Sequence, residues 1–128
     1  MLCFLVLPLI FAIITYAYIL AFRQSLSQAA AEGVRAAAVA PTGTDLEQAA
    51  FDAVDAAMQD HGLKCNEGAL TCVGTTMSDC ATNGGDLAVS CYKVDVSYDY
   101  KDDPLLPTFG LGIVLPDTLS YSATAEVN

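Results

Sequence analysis

Cys65, Cys72, Cys80 and Cys91 fall within 27 residues and carry the clearest covalent chemistry in the chain. Their intervals of seven, eight and eleven contain no CxxC, so a zinc site competes poorly with disulfide formation. In an exported domain this even set reads as two disulfides with three possible connectivities. The local pairs Cys65–Cys72 and Cys80–Cys91 are expected, because each closes a short loop. His61, the only histidine, stands beside Asp60 near a helix end, where an exposed side chain is expected rather than a metal ligand. Asp99, Asp102 and Asp103 offer oxygens to calcium, but a hydrated acidic turn is the commoner use of such a run. There is no glycine-rich phosphate loop, no histidine expected near a nucleophile and no basic group suited to an anionic substrate. The expectation is a protein without catalytic, cofactor or metal residues.

Those residues must be carried by two unlike parts. Of the first 22 positions, 20 are apolar, Pro8 and Thr15 being the exceptions, and the first charged side chain is Arg23. The net charge of −10, from five Lys and Arg against fifteen Asp and Glu, belongs wholly to residues 23–128. Such a balance supplies no basic stripe for phosphates, so a nucleic-acid partner is not expected. Residues 41–128 are expected to form one extracytoplasmic head, small enough to benefit from covalent staples.

Residues 2–22 are long enough to cross about 30 Å of hydrocarbon as a helix. A cleaved signal is the rival reading, with Ala29-Ala30-Ala31 resembling a peptidase site, but a signal has a basic start and a shorter apolar core. Pro8 predicts a bend or a harmless kink. Tyr16, Tyr18 and Phe22 with Arg23 suggest an interfacial belt and a charged stop. Cys3 lacks a lipobox and reads as an apolar thiol. Arg23 and Arg35 would pull the C-terminal side inward by the positive-inside rule, whereas the cysteines point outward. A basic leader upstream of Met1 would resolve that conflict.

From Arg23 the helix formers continue to Ala40, before Pro41, so a rod of about 58 Å is expected over residues 1–40. Leu26, Gly33 and Ala37 share one flank of small spacing, suited to close helix approach, either to a neighbouring subunit or to the chain's own head. Next, Thr44-Asp45-Leu46-Glu47 predicts a capping box with Thr44 as the cap. A second helix should bury Leu46, Ala50, Ala53, Val54, Ala57 and Met58 and stop at His61 and Gly62. Strands are expected over 69–77, with a turn over 79–86, then through the alternation Tyr92, Val94, Val96, Tyr98, Tyr100, and finally through Leu119, Tyr121, Ala123, Ala125, Val127. The fold class is therefore α+β: a long N-terminal helix, a second amphipathic helix and a small antiparallel sheet with disulfides. Residues 102–116 are apolar for a loop, and Leu105, Leu106, Phe109 and Leu111 are expected either to lid the core or to contact a neighbouring subunit.

The run Phe4 to Phe11 (FLVLPLIF), then Phe22-Arg23-Gln24 and residues 30–37 (AAEGVRAA), resembles the TadE-like family of minor pilins or pseudopilins, from the tight-adherence branch of the type IV pilus machinery. The resemblance is strongest over the first 40 residues. It recurs in residues 94–100 (VDVSYDY), 104–107 (PLLP) and 119–125 (LSYSATA). It implies a subunit stored in the inner membrane by its apolar helix, with Phe4, Leu5, Pro8, Phe11, Tyr16, Phe22, Leu26, Gly33 and Ala37 on the membrane and assembly helix. The implied role is in pilus biogenesis, initiation or adhesion, and the implied partners are other pilin subunits and inner-membrane assembly proteins. Family members begin with a basic leader, a cleaved glycine and a nearby glutamate. Here no basic residue precedes the apolar run, no acid precedes Glu32 and no glycine precedes Gly33, and the processing site is expected upstream. The alternative is a single-pass anchored binding domain that does not polymerise.

Overall fold

The computed structural model describes residues 1–78, 80, 89–101 and 117–127. Helix α1 runs unbroken from Leu2 to Val39, 38 residues and about 57 Å long. Pro8 lies inside it, where the ring removes one N–H from the ladder. The helix stops where Ala40 turns extended (φ −62°, ψ 136°), the conformation that the ring of Pro41 imposes on the residue before it.

A tight turn follows, closed by the Thr44 N–H donating to the Pro41 carbonyl at 3.0 Å. This fixes Thr44 within the turn, so the cap of helix α2 (Leu46–Met58) is Asp45 and not the expected Thr44. The Asp45 carboxylate accepts from the Glu47 N–H at 3.0 Å, satisfying one of the helix's unpaired first-turn donors. Past Met58 a single 3-10 turn, Gln59–His61, tightens the end, and Gly62 closes it at φ 67°. Only glycine takes that left-handed conformation without Cβ cost.

Three strands form an antiparallel meander in the order β1 (Leu70–Ser78), β2 (Ser90–Asp99), β3 (Thr118–Val127). The register sets Leu70, Tyr98 and Leu119 in one row and Cys72, Val96 and Tyr121 in the next. One face of the sheet thus collects the alternating apolar residues. Against it lie α1 and α2, burying Tyr98, Phe22, Leu26, Met58, Leu70, Val54, Val94 and Val96 almost completely. The expected α+β architecture is what the chain adopts.

The buried seam of α1 is Thr15, Ile19, Phe22, Leu26, Ala29, Ala30, Gly33, Val34 and Ala37. The flank of Leu26, Gly33 and Ala37 is therefore packed inside the chain's own head. A Cβ placed on Gly33 would lie 2.8 Å from Val54 Cγ2 and 3.3 Å from the Ala50 carbonyl oxygen. Glycine is what lets the two helices touch. Gly33→Ala is expected to lose stability despite a helix-propensity gain of about 1 kcal/mol, because overpacking against a stiff valine and a backbone carbonyl costs about 1–3 kcal/mol. Urea unfolding of the detergent-solubilised chain would show a lowered midpoint. Ala57, expected on the inner face of α2, is exposed; the three positions Ala50, Val54 and Met58 already fill the seam against α1.

Candidate functional site

Before Thr15, α1 is exposed on all sides except at Ala12. Phe4 is 90% exposed, Leu5 73% and Phe11 50%. This is the only helix among the described residues long and apolar enough to cross a membrane by length and composition. Exposure of that much hydrocarbon costs roughly 25 cal/mol per Å² in water, so the segment requires an apolar surrounding. Its exposed side continues past the start of the head, with Tyr16 at 65% and Leu20 at 41%.

Where the head begins, the junction is built on Phe22. The Phe22 ring meets Tyr98 of β2 edge-on at 4.9 Å and His61 edge-on at 5.2 Å. One α1 residue thus joins the sheet to the end of α2. His61 is half-buried, not exposed as the sequence suggested. Its Nε2 lies 3.2 Å from Ser25 Oγ, a histidine–hydroxyl pair that sequence spacing did not anticipate. The Ser25 hydroxyl also lies within hydrogen-bond distance of the Ala21 carbonyl, 3.2 Å away, so the one side chain bridges its own helix and the His61 ring. Ser25 sits in mid-helix, where neighbouring backbone N–H groups are bonded along the ladder and offer nothing to an oxyanion. The pair is a tie between helices.

Both expected disulfides are present, Cys65–Cys72 and Cys80–Cys91, with Cα separations of 5.2 and 6.0 Å. The first organises a loop that sequence reading missed. Asn66, at φ 59°, donates its N–H to the Leu70 carbonyl at 3.0 Å, and its Oδ1 accepts from the Cys72 N–H at 3.1 Å. On the other side the Cys65 N–H donates to Asp55 of α2 at 2.6 Å. The only available hint was an asparagine next to Glu67-Gly68, since asparagine tolerates the left-handed region. Between this loop and α2 lies an open groove of about 600 Å³ lined by Asp55, Gln59, Leu63, Lys64 and Glu67, of mixed charge and without a convergent set of donors. Among the described residues no three His, Cys, Asp or Glu side chains stand together as a metal site. Asp99 accepts from the Lys101 N–H, while Asp102, Asp103 and the expected contact residues Leu105, Leu106, Phe109 and Leu111 lie outside the described residues, as does most of the expected 79–86 turn.

Tyr92 is 3% exposed, and its hydroxyl has no partner among the described residues. It lies over Gly74, where any Cβ would overlap the phenol oxygen. Burial, reinforced by the charges of Glu47 and Asp45, pushes its pKa above 10.0. An acid whose folded pKa exceeds its unfolded value contributes stability that is complete below pH 10 and is lost as pH rises through the folded value. Tyr92→Phe is therefore expected to flatten the alkaline fall in stability above pH 10 and to leave stability at pH 7 equal or higher, since no hydrogen bond is sacrificed. Thermal melts across pH 7–11 would measure both.

No family model, curated protein or solved structure matches this chain.

Proposed function

We propose that this protein is a minor pilin or pseudopilin of a tight-adherence type pilus, acting in pilus biogenesis, initiation or adhesion. The observation that supports this reading is the single helix shared by membrane and head. Its first part is apolar and exposed, its second is the core of the disulfide-bearing domain, and no linker separates them. Apolar helix plus two disulfides fit a single-pass membrane protein whose head lies in an oxidising compartment. A linkerless helix transmits any lateral movement of the anchor directly to the head, as a subunit leaving lipid for a filament requires. Exchange of lipid contacts for helix contacts costs little, because hydrocarbon tails are as apolar as leucine.

The second reading, an anchored binding domain that does not polymerise, has one observation in its favour. The small-residue flank of Leu26, Gly33 and Ala37 is spent on the chain's own core, leaving polymer contacts to the exposed residues Phe4, Leu5 and Tyr16. Site-specific photocrosslinking from position 5 or 16 in the native host decides between them. Crosslinks to pilin subunits, together with recovery of the chain in sheared surface filaments, are expected. Crosslinks to lipid alone, with the chain confined to membranes, would overturn the pilin assignment.

A further inference from the structure

The sheet ends in two edges that are unlike ordinary guarded ones. In β2 the odd residues bond β1 and the even residues bond β3, as shown by the Asp99 N–H donating to the Ala69 carbonyl and the Tyr100 N–H to the Asp117 carbonyl. The even residues of β1 and of β3 therefore turn their backbone groups outward. On β1, Asn66 occupies the first of these, taking the Leu70 carbonyl and the Cys72 N–H. Beyond that point, Gly74 and Thr76 have no partner for their outward groups among the described residues, and the same holds for Ser120, Ser122 and Thr124 on β3.

Charge is distributed opposite to edge protection. Natural sheets place lysines, prolines or inward charges on exposed edges to stop strand addition. Here β1 has no charged residue and β3 has only Glu126, while the central strand carries Lys93, Asp95 and Asp99. In a chain of net charge −10, the two edges are the neutral places on the sheet.

Direction follows from α1. Phe22 meets Tyr98, and Gly33 lies beside Val94, so α1 runs opposite to β2 and in the same direction as β1 and β3. Copies with their apolar helices side by side in one bilayer present β3 of one to β1 of the next, running parallel. A twofold β1–β1 pairing in antiparallel register would invert one helix and cannot share the membrane.

We propose that neighbouring copies of this chain join head to tail by parallel strand addition, β3 of one copy against the open Gly74–Ser78 half of β1 of the next. The proposal rests on the membrane placement of α1 and not on incorporation into a filament, so the shearing and photocrosslinking outcomes above leave it unaffected. In parallel pairing Ser122 and Thr75 share the outer face. The test is the full-length Thr75→Cys/Ser122→Cys chain on a Cys3→Ser background, in native membranes, treated with a short bis-maleimide under oxidising conditions. A ladder of dimers, trimers and higher species is expected, absent from either single variant and lost when Thr76→Pro or Thr76→Lys is added with both disulfides intact. Proline at 76 removes an outward N–H and no ladder bond within the sheet. Absence of crosslinks in the double variant, dimers from Thr75→Cys alone, or a ladder that survives both changes at Thr76 would overturn the proposal.

Discussion

Phe22→Ala is expected to lower the stability of the head by about 3–5 kcal/mol, the range for removing a fully buried aromatic from a packed core. Phe22 is 1% exposed and is the one α1 side chain whose ring meets both Tyr98 of the sheet and His61 at the end of α2. Truncation leaves a void at the end of the core nearest the apolar segment, and it strips the His61 ring of its aromatic neighbour while the weaker Ser25 tie remains. Guanidinium unfolding in detergent, followed by near-ultraviolet circular dichroism of the tyrosines, would report the loss. Phe4→Ala is the matched control, since Phe4 is 90% exposed; it should leave the head transition in place. Equal midpoints for the two variants would mean that the helix and the head are not coupled at Phe22.

That coupling marks the boundary of what the sequence reveals. The alternation of Tyr92 through Tyr100 and of Leu119 through Val127 can satisfy only a sheet with one buried face, and both strands form there. The short intervals between Cys65 and Cys72 and between Cys80 and Cys91 likewise favoured the local pairs that are seen. Periodicity does not say which object covers a stripe. Leu26, Gly33 and Ala37 are spaced for a neighbour or for the chain's own α2, and only the match of Gly33 to Val54 selects the latter. The cap at Asp45 in place of Thr44 depended on a turn bond to Pro41, which no capping pattern contains. His61 looked solvated because its partners, Phe22 and Ser25, lie 39 and 36 positions earlier. Asn66 escaped notice because its role is a backbone conformation rather than a chemistry.

Removal of the first disulfide in a Cys65→Ala/Cys72→Ala chain is expected to cost about 2.5 kcal/mol from loop entropy alone, for so short a closed loop. The further consequence is local. Cys65 and Cys72 bracket Asn66, and freeing the loop releases its two hydrogen bonds to Leu70 and Cys72 as well as the Cys65 bond to Asp55. Among the described residues, the stretch of β1 without an outer partner then extends from Gly74–Ser78 back to Leu70. Amide exchange at position 72, compared between wild type and the variant, would register this directly as lost protection. Asn66→Ala separates the two effects. It keeps the covalent loop, removes one acceptor, puts alanine at a left-handed φ of 59°, costs about 2–3 kcal/mol for the two together and should expose the same amide. If strand addition joins neighbouring copies, the two variants should self-associate more readily than wild type although both are less stable, because each lengthens the edge on offer. A disulfide variant that is destabilised yet unchanged in association would confine Asn66 to a role in folding, and would locate the edge contact entirely beyond Gly74.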